Sequence, residues 1–501
     1  MPGSEESDRS LGEIRTISTK ATAAEGSNAV TATSELSARS IEDLQADLRG
    51  GKITAVGLAE RAIENYAAHG ETLNIYKTWD PESLRAQAEV ADAAFAADMD
   101  FGPMQGLPIS VKDLYGVSGY PTFAGTPSQM PPKYEREGPV VRSLRQGLAT
   151  ITGKTHTVEF AFGGVGSNPH WGTPRNPWDA ERHRAPGGSS SGAGVSLWAG
   201  TAVAALGSDT AGSVRVPASV TGTVGIKTSA HRWSTDGIVP LSPSLDTAGI
   251  LTRSAADAAI AFAVIDPLVD EHPLAFLDRL RRLETTDIQV GVCDWFFDDA
   301  DPSVAQAVRD TIAELEKAGM TAVNLDLPTV AASHEIFKRG GLAAPEFTAF
   351  INSEMADRKA TLDPNVAARF ERMEAIPASD YLIRKQELEV LAAETTDLLA
   401  SVDVVLTPTV AITPPDLEDA KPGDPYLKAN MAMLRNTAPM NLLRLCGVSL
   451  PAALDDAGMP VGLQIIAPYG EDERAIAVAC AFERTLGTAR ERLGTPPLCS
   501  N

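Results

Sequence analysis

From residue 40 onward, apolar residues recur every three to four positions. Ile41, Leu44 and Leu48 share one face, because a 3.6-residue period returns such positions to the same side of a helix. The preceding S-I-E-D places Ser40 at an N-cap with acidic residues behind it, a start resembling a capping box. The same period predicts a second helix with Leu58, Ala62, Ile63 and Tyr66 inward, and a third through Leu84, Ala88, Ala91 and Phe95. Val304, Val308, Ile312 and Leu315 form a later stripe, stopped at Gly319.

Short continuous apolar runs read differently. G-L-P-I-S-V-K-D (106–113), G-L-A-T-I-T-G (147–153), I-Q-V-G-V-C (288–293), V-D-V-V-L-T-P (402–408) and P-V-G-L-Q-I-I (460–466) predict buried strands. Residues 192–206, G-A-G-V-S-L-W-A-G-T-A-V-A-A-L, are small and apolar on every face, and predict a helix buried on all sides. Strands and helices alternate without linker or repeat. The expected fold is therefore α/β, a single large domain with a mixed central β-sheet covered by helices. It spans residues 36–495, behind a loosely ordered arm at 1–35 rich in Ser, Thr, Ala and Glu. Within it, 106–254 carries the readable motifs, 266–400 is more helical and carries none, and 401–495 holds C-terminal strands and a helix.

Charge narrows the partners. The 66 acidic residues against 43 Lys and Arg leave a net −23, a field that repels phosphate backbones and anionic membranes. Neither nucleic acid nor a membrane is an expected partner. No run of about 18 apolar residues is present to span a bilayer, and the start M-P-G-S-E-E-S-D-R-S lacks the basic-then-apolar pattern of a secretory signal. Cys293, Cys446, Cys480 and Cys499 form no C-x-x-C pair. They read as unpaired thiols of a reducing compartment, the cytoplasm. The histidines show neither H-x-x-x-H nor H-E-x-x-H spacing, so neither a metal nor another cofactor is expected.

Two serine–glycine segments carry the candidate chemistry: A-P-G-G-S-S-S-G (185–192) and G-S-D-T-A-G-S-V-R-V-P-A (207–218). The first could be a flexible loop, but it is no Walker A loop, since no G-K-[ST] follows. Gly188 to Gly192 spell G-x-S-x-G, the nucleophile elbow of α/β-hydrolases. That elbow needs a buried strand before it and a late histidine after it. Here D-A-E-R-H-R-A-P precedes, and no histidine follows His334. A serine hydroxyl still needs a base to take its proton, and a buried lysine kept neutral can serve. Lys112 ends an apolar strand, and Thr210-Ala211-Gly212-Ser213 offers a tight turn rich in backbone N–H groups. Pro217 then marks the first turn of a helix whose dipole faces the loop. Asp209 and Arg215 flank the turn and read as its braces.

These residues carry a resemblance. G-G-S-S-S-G-A-G-V-S-L-W-A-G, G-S-D-T-A-G-S-V-R-V-P-A, V-G-I-K-T-S and S-L-D-T-A-G stand in the order and spacing of the amidase signature family. Upstream, G-L-P-I-S-V-K-D resembles its lysine motif; downstream, T-P-T and G-M-P-V-G-L-Q-I-I resemble its C-terminal strands. The likeness spans roughly residues 40–490. It implies a catalytic triad of Lys112, Ser189 and Ser213: Ser213 attacks, and Ser189 relays its proton to Lys112. It also implies a cis peptide bond between Gly188 and Ser189, and an oxyanion hole from the N–H groups of Thr210, Ala211, Gly212 and Ser213. Ala161 falls where family members contact substrate. Ser190 and Ser191 are expected to be structural hydrogen-bonders, Lys154 to lie outside the triad, and His156 to support the cleft. The chain departs from the family pattern at Ala211, where D-T-G-G-S is common, and at K-T-S (227–229), where K-P-T is usual.

The implied activity is hydrolysis of small-molecule amides through an acyl-enzyme on Ser213, with esters, carbamates (urethanes) and aryl amides within the same chemistry. D-T-A-G-S-V-R-V-P leans toward carbamates. The alternative is a glutaminase-type component of a tRNA-dependent amidotransferase, but those resemble R-Q-P after the nucleophile, and here Val216 follows Arg215. A catalytically silent binding protein is the third reading, and the intact triad positions argue against it. A homodimer is common in the family.

Overall fold

In a computed structural model of the protein, which describes residues 34–373 and 376–500, eleven strands join in one sheet. They are β1 (Tyr76–Trp79), β2 (Pro108–Lys112), β3 (Thr150–Thr155), β4 (Ala204–Asp209), β5 (Val224–Lys227), β6 (Thr247–Thr252), β7 (Gln289–Val292), β8 (Thr321–Asn324), β9 (Val404–Pro408), β10 (Cys446–Leu454) and β11 (Pro460–Ala467). The spatial order is β1-β3-β2-β4-β6-β5-β10-β11-β9-β7-β8. β2 runs parallel to both β3 and β4, and β7 to both β8 and β9; the remaining pairs are antiparallel. The sheet is mixed and covered by helices, as the pattern predicts.

Side chains alternate across a strand, and the central strands use both faces. Ala204, Leu206 and Ile250 enter the main core, while Ala205 and Leu251 between them enter a second core with Ala193, Leu197, Val214 and Ala218. Helices Ala255–Ile265, Pro302–Lys317 and Asp472–Leu486 pack on the sheet. The short helices Ala193–Trp198 and Arg215–Thr221 pack on β4 and on β5, β10 and β11, and on each other. The predicted N-terminal helices are present: Ser40 caps Ile41–Arg49 by accepting from the Asp43 N–H, and Ala55–Leu73 and Pro81–Ala96 follow. Gly319, at φ 105°, ends the Pro302–Lys317 helix. Residues 1–33 of the expected arm lie outside the described residues. Packing begins by Leu36, which is fully buried.

One expected element is corrected. The helix predicted over 192–206 stops at Trp198; the chain turns at Gly200, with φ 66°, and Ala204 already belongs to β4. An apolar run covered on all sides suits a buried strand as well as a buried helix, and periodicity does not separate them. β4 lies inside the sheet with both faces packed. Its parallel partner β2 ends at Lys112, so Lys112 and Asp209 emerge at the same edge. The carboxyl ends of parallel strands are where α/β proteins commonly form their sites.

Candidate active site

Lys112 is fully buried, and its Nζ reaches three oxygens: Ser189 Oγ at 2.7 Å, Ser208 Oγ at 2.9 Å and the Ser208 carbonyl at 3.4 Å. Burial pushes the ammonium down to about 7, against the pull of Asp209 and Asp246. An amine with that value is substantially neutral near pH 7, the form able to accept a proton.

The two serine segments are pinned side by side. The Ser190 N–H and the Ser190 hydroxyl both donate to the Ser213 carbonyl, at 3.3 and 2.5 Å. The peptide bond between Gly188 and Ser189 is cis. A Cβ on Gly188 would stand 2.7 Å from the Gly163 carbonyl and 2.8 Å from Gly166 backbone, so the close approach of chain requires glycine. Ser191 behaves otherwise than expected: its hydroxyl is buried with no hydrogen-bond partner among the described residues.

Asp209 organises the loop before Ser213. Its Oδ1 accepts from the Gly212 N–H at 2.8 Å, and its Oδ2 accepts from the Val214 N–H at 3.1 Å. Arg215 grips the same carboxylate through Nε and Nη2, at 3.1 and 3.0 Å. Burial alone would raise the Asp209 pKa; the Arg215 charge overrides it and holds the carboxyl below the usual range. Arg215 continues to Gln464 and Asn441, at 2.6 and 2.5 Å, so brace and buried ion pair are one structure. Among the four N–H groups expected to face an oxyanion, that of Gly212 stands apart. It is spent on Asp209, whereas the N–H groups of Thr210, Ala211 and Ser213 meet no protein acceptor among the described residues. Glycine is needed there for another reason: φ is 134°, and a Cβ would stand 2.2 Å from Thr437 Oγ1.

The open side of this loop faces a cavity of about 320 Å³. Ser213, Thr210, Ala211 and Ala161 line it, together with Phe162, Leu241, Leu245 and the 337–344 segment. Ala161 holds a left-handed φ of 60°. Lys154 is taken up by Asp113 at 3.0 Å and Thr122 at 3.0 Å. His156 bonds Asn74 at 3.1 Å, and burial pushes its pKa down to about 4. Two participants escaped the sequence reading. Ser208 adds a second hydroxyl to Lys112, and Asp246 accepts from the Thr210 hydroxyl at 2.5 Å and from the Leu241 and Ser242 N–H groups, both at 2.9 Å. Asp246 stands in the S-L-D-T-A-G motif, so its position was visible though its role was not.

Comparison with known proteins adds the lineage. Residues 58–476 match the amidase family. The chain belongs to that family. This amidase is 46% identical to the 2-amino-5-chloromuconic acid deaminase of Comamonas testosteroni, over 92% of this chain and 98% of the relative. It is 30% identical to a glutamyl-tRNA(Gln) amidotransferase component of Geobacter metallireducens, over 92% of this chain and 100% of the relative. A crystal structure of an amidase superposes with a TM-score of 0.81 at 31% identity, covering 90% of this chain and 100% of that one. The amidase fold and hydrolysis of carbon–nitrogen bonds follow. No helix among the described residues is long and apolar enough to cross a membrane.

Proposed function

We propose that this amidase hydrolyses the C–N bond of a small substrate with Ser213 as nucleophile, Ser189 as proton relay and Lys112 as base. The observation that carries the reading is a fully buried lysine, lowered to about 7, at 2.7 Å from the Ser189 hydroxyl. Ser213 Oγ adds to the carbonyl carbon, and its proton passes through Ser189 to Lys112. Oxygen charge develops toward the unspent N–H groups of Thr210, Ala211 and Ser213, each worth about 2.7–4 kcal/mol of barrier in such a site. The lysine then protonates the departing amine, and water releases the acid and frees Ser213. Carbamates and aryl amides fit these steps equally. Four buried, unpaired thiols support a reducing compartment, the cytoplasm.

A second substrate reading is favoured by the 46% identical relative, whose name states removal of an amino group from an amino-substituted muconic acid. The same machinery serves it. Ser213 Oγ would add to C2 of the imine tautomer, ammonia would leave with a proton from Lys112, and water would add at C2. Collapse then gives the ketone and free serine. The amidotransferase reading has less support, because Val216 and not glutamine follows Arg215.

The test measures aniline release from matched anilides and N-aryl carbamates, and ammonia release from 2-aminomuconic acid, for wild type and Ser213→Ala. The variant should lose at least about a thousandfold in kcat/KM on whichever substrate turns over, the scale of removing a covalent nucleophile. Retained activity in Ser213→Ala would sink the assignment.

A further inference from the structure

The cavity beside Ser213 is charged against the trend of the molecule. In a chain of net −23, its lining among the described residues holds three cations, Lys338, Arg339 and Arg369, and no Asp or Glu. Two of the three are committed elsewhere. Lys338 pairs with Glu335 at 2.5 Å and Arg339 with Glu387 at 3.9 Å, all four being substantially exposed. Arg369 is different. It is half-buried on helix Pro364–Met373, with its guanidinium carbon 4.7 Å from the Phe162 ring centre and 5.6 Å from that of Tyr426. Nη1 donates to the Phe162 carbonyl at 2.9 Å, while Nη2 is buried and makes no well-aligned hydrogen bond among the described residues. Asp363 feels its charge and the Tyr426 hydroxyl is near enough to act as a weak hydrogen-bond partner, but no carboxylate among the described residues forms an ion pair with it.

A buried donor without a well-placed acceptor is costly. A guanidinium fork is shaped for a carboxylate, which it can take through two parallel N–H groups. Arg369 is among the residues lining the cavity that Ser213 opens into, and Phe162, Leu241, Leu245 and Leu434 line the same cavity with apolar surface.

We propose that Arg369 binds a carboxylate of the substrate, so that the site selects short anionic substrates with an apolar body between that carboxylate and the C–N bond at Ser213. The inference rests on Ser213 as the reacting residue, and it applies to an acid-bearing amide and to an amino-diacid alike. It sets neutral anilides and carbamates below their carboxylate-bearing counterparts.

Calorimetric titration of the full chain with glutarate, a short dicarboxylate, tests binding without turnover. Wild type should bind it, Arg369→Gln should weaken it by about 10- to 100-fold, the worth of one charge-assisted pair, and Arg369→Lys should recover part of the loss. Turnover of the mono-4-nitroanilide of glutaric acid is then compared with that of its methyl ester. Wild type should prefer the acid, and Arg369→Gln should lose that preference through KM with kcat little changed. Ser213→Ala should be silent on both yet still bind glutarate. An active Ser213→Ala would overturn the nucleophile and leave the Arg369 result standing. If wild type does not bind glutarate, or if folded Arg369→Gln binds it equally well, the carboxylate site is wrong.

Discussion

Lys112 shows how much one residue's environment decides. A solvated lysine is protonated at every physiological pH; burial brings this one to about 7. Only the neutral amine accepts a proton, so as the proposed base it would act above that value and not below it. For a neutral amide, kcat/KM should therefore rise as pH increases through about 7 and level off above it, which a pH–rate profile with an uncharged substrate reads directly. A limb near the ordinary lysine value would contradict the assignment. Ser208 Oγ accepts from the ammonium at 2.9 Å and so favours the charged form. Ser208→Ala should move the limb to lower pH than in wild type. The lysine was legible because it ends an apolar strand inside the G-L-P-I-S-V-K-D motif. Ser208 was not, because nothing in G-S-D-T marks which hydroxyl faces a lysine 96 residues away. Gly212 was legible as a turn residue but not as one whose N–H is already used, since that depends on where the Asp209 carboxylate points.

Among the elements, the short helices Ala193–Trp198 and Arg215–Thr221 hold the two serine segments against each other. Their contact is close because Gly194 has no side chain: a Cβ there would stand 2.0 Å from Thr221 Oγ1. Gly194→Leu should force the helices apart, costing about 1–3 kcal/mol or more. Thermal unfolding should show a lower Tm, and kcat should fall because Ser189 and Ser213 lose register. This region is also where the pattern misled. Small apolar residues from 192 to 206 predict one helix, and the chain instead makes a six-residue helix, a glycine turn and strand β4. Amphipathic helices such as Ile41–Arg49 were legible because one polar face reports the period. A segment buried on every side reports none.

For the whole molecule, the described residues from 34 onward pack around a single eleven-stranded sheet, and the four cysteines sit unpaired within that packing. Burial pushes all four thiols up, Cys499 to about 12. Native protein should therefore react negligibly with Ellman's reagent at pH 8, and denatured protein should release four equivalents. Rapid labelling of the native protein would contradict the packing.

The amino-acid order by itself determined the α/β class, most of the amphipathic helices, the strand carrying Lys112 and the two serine loops, because local period and turn chemistry are short-range properties. It also carried the likeness that points to Lys112, Ser189 and Ser213. Only the tertiary structure decided which hydroxyls meet the lysine, which loop N–H groups remain unspent, and that Arg369 comes to the wall of the Ser213 cavity. Those facts join residues tens to hundreds of positions apart, such as Lys112 and Ser189 at 77 and Arg369 and Phe162 at 207. They follow from how the sheet and its helices pack, which no local pattern encodes.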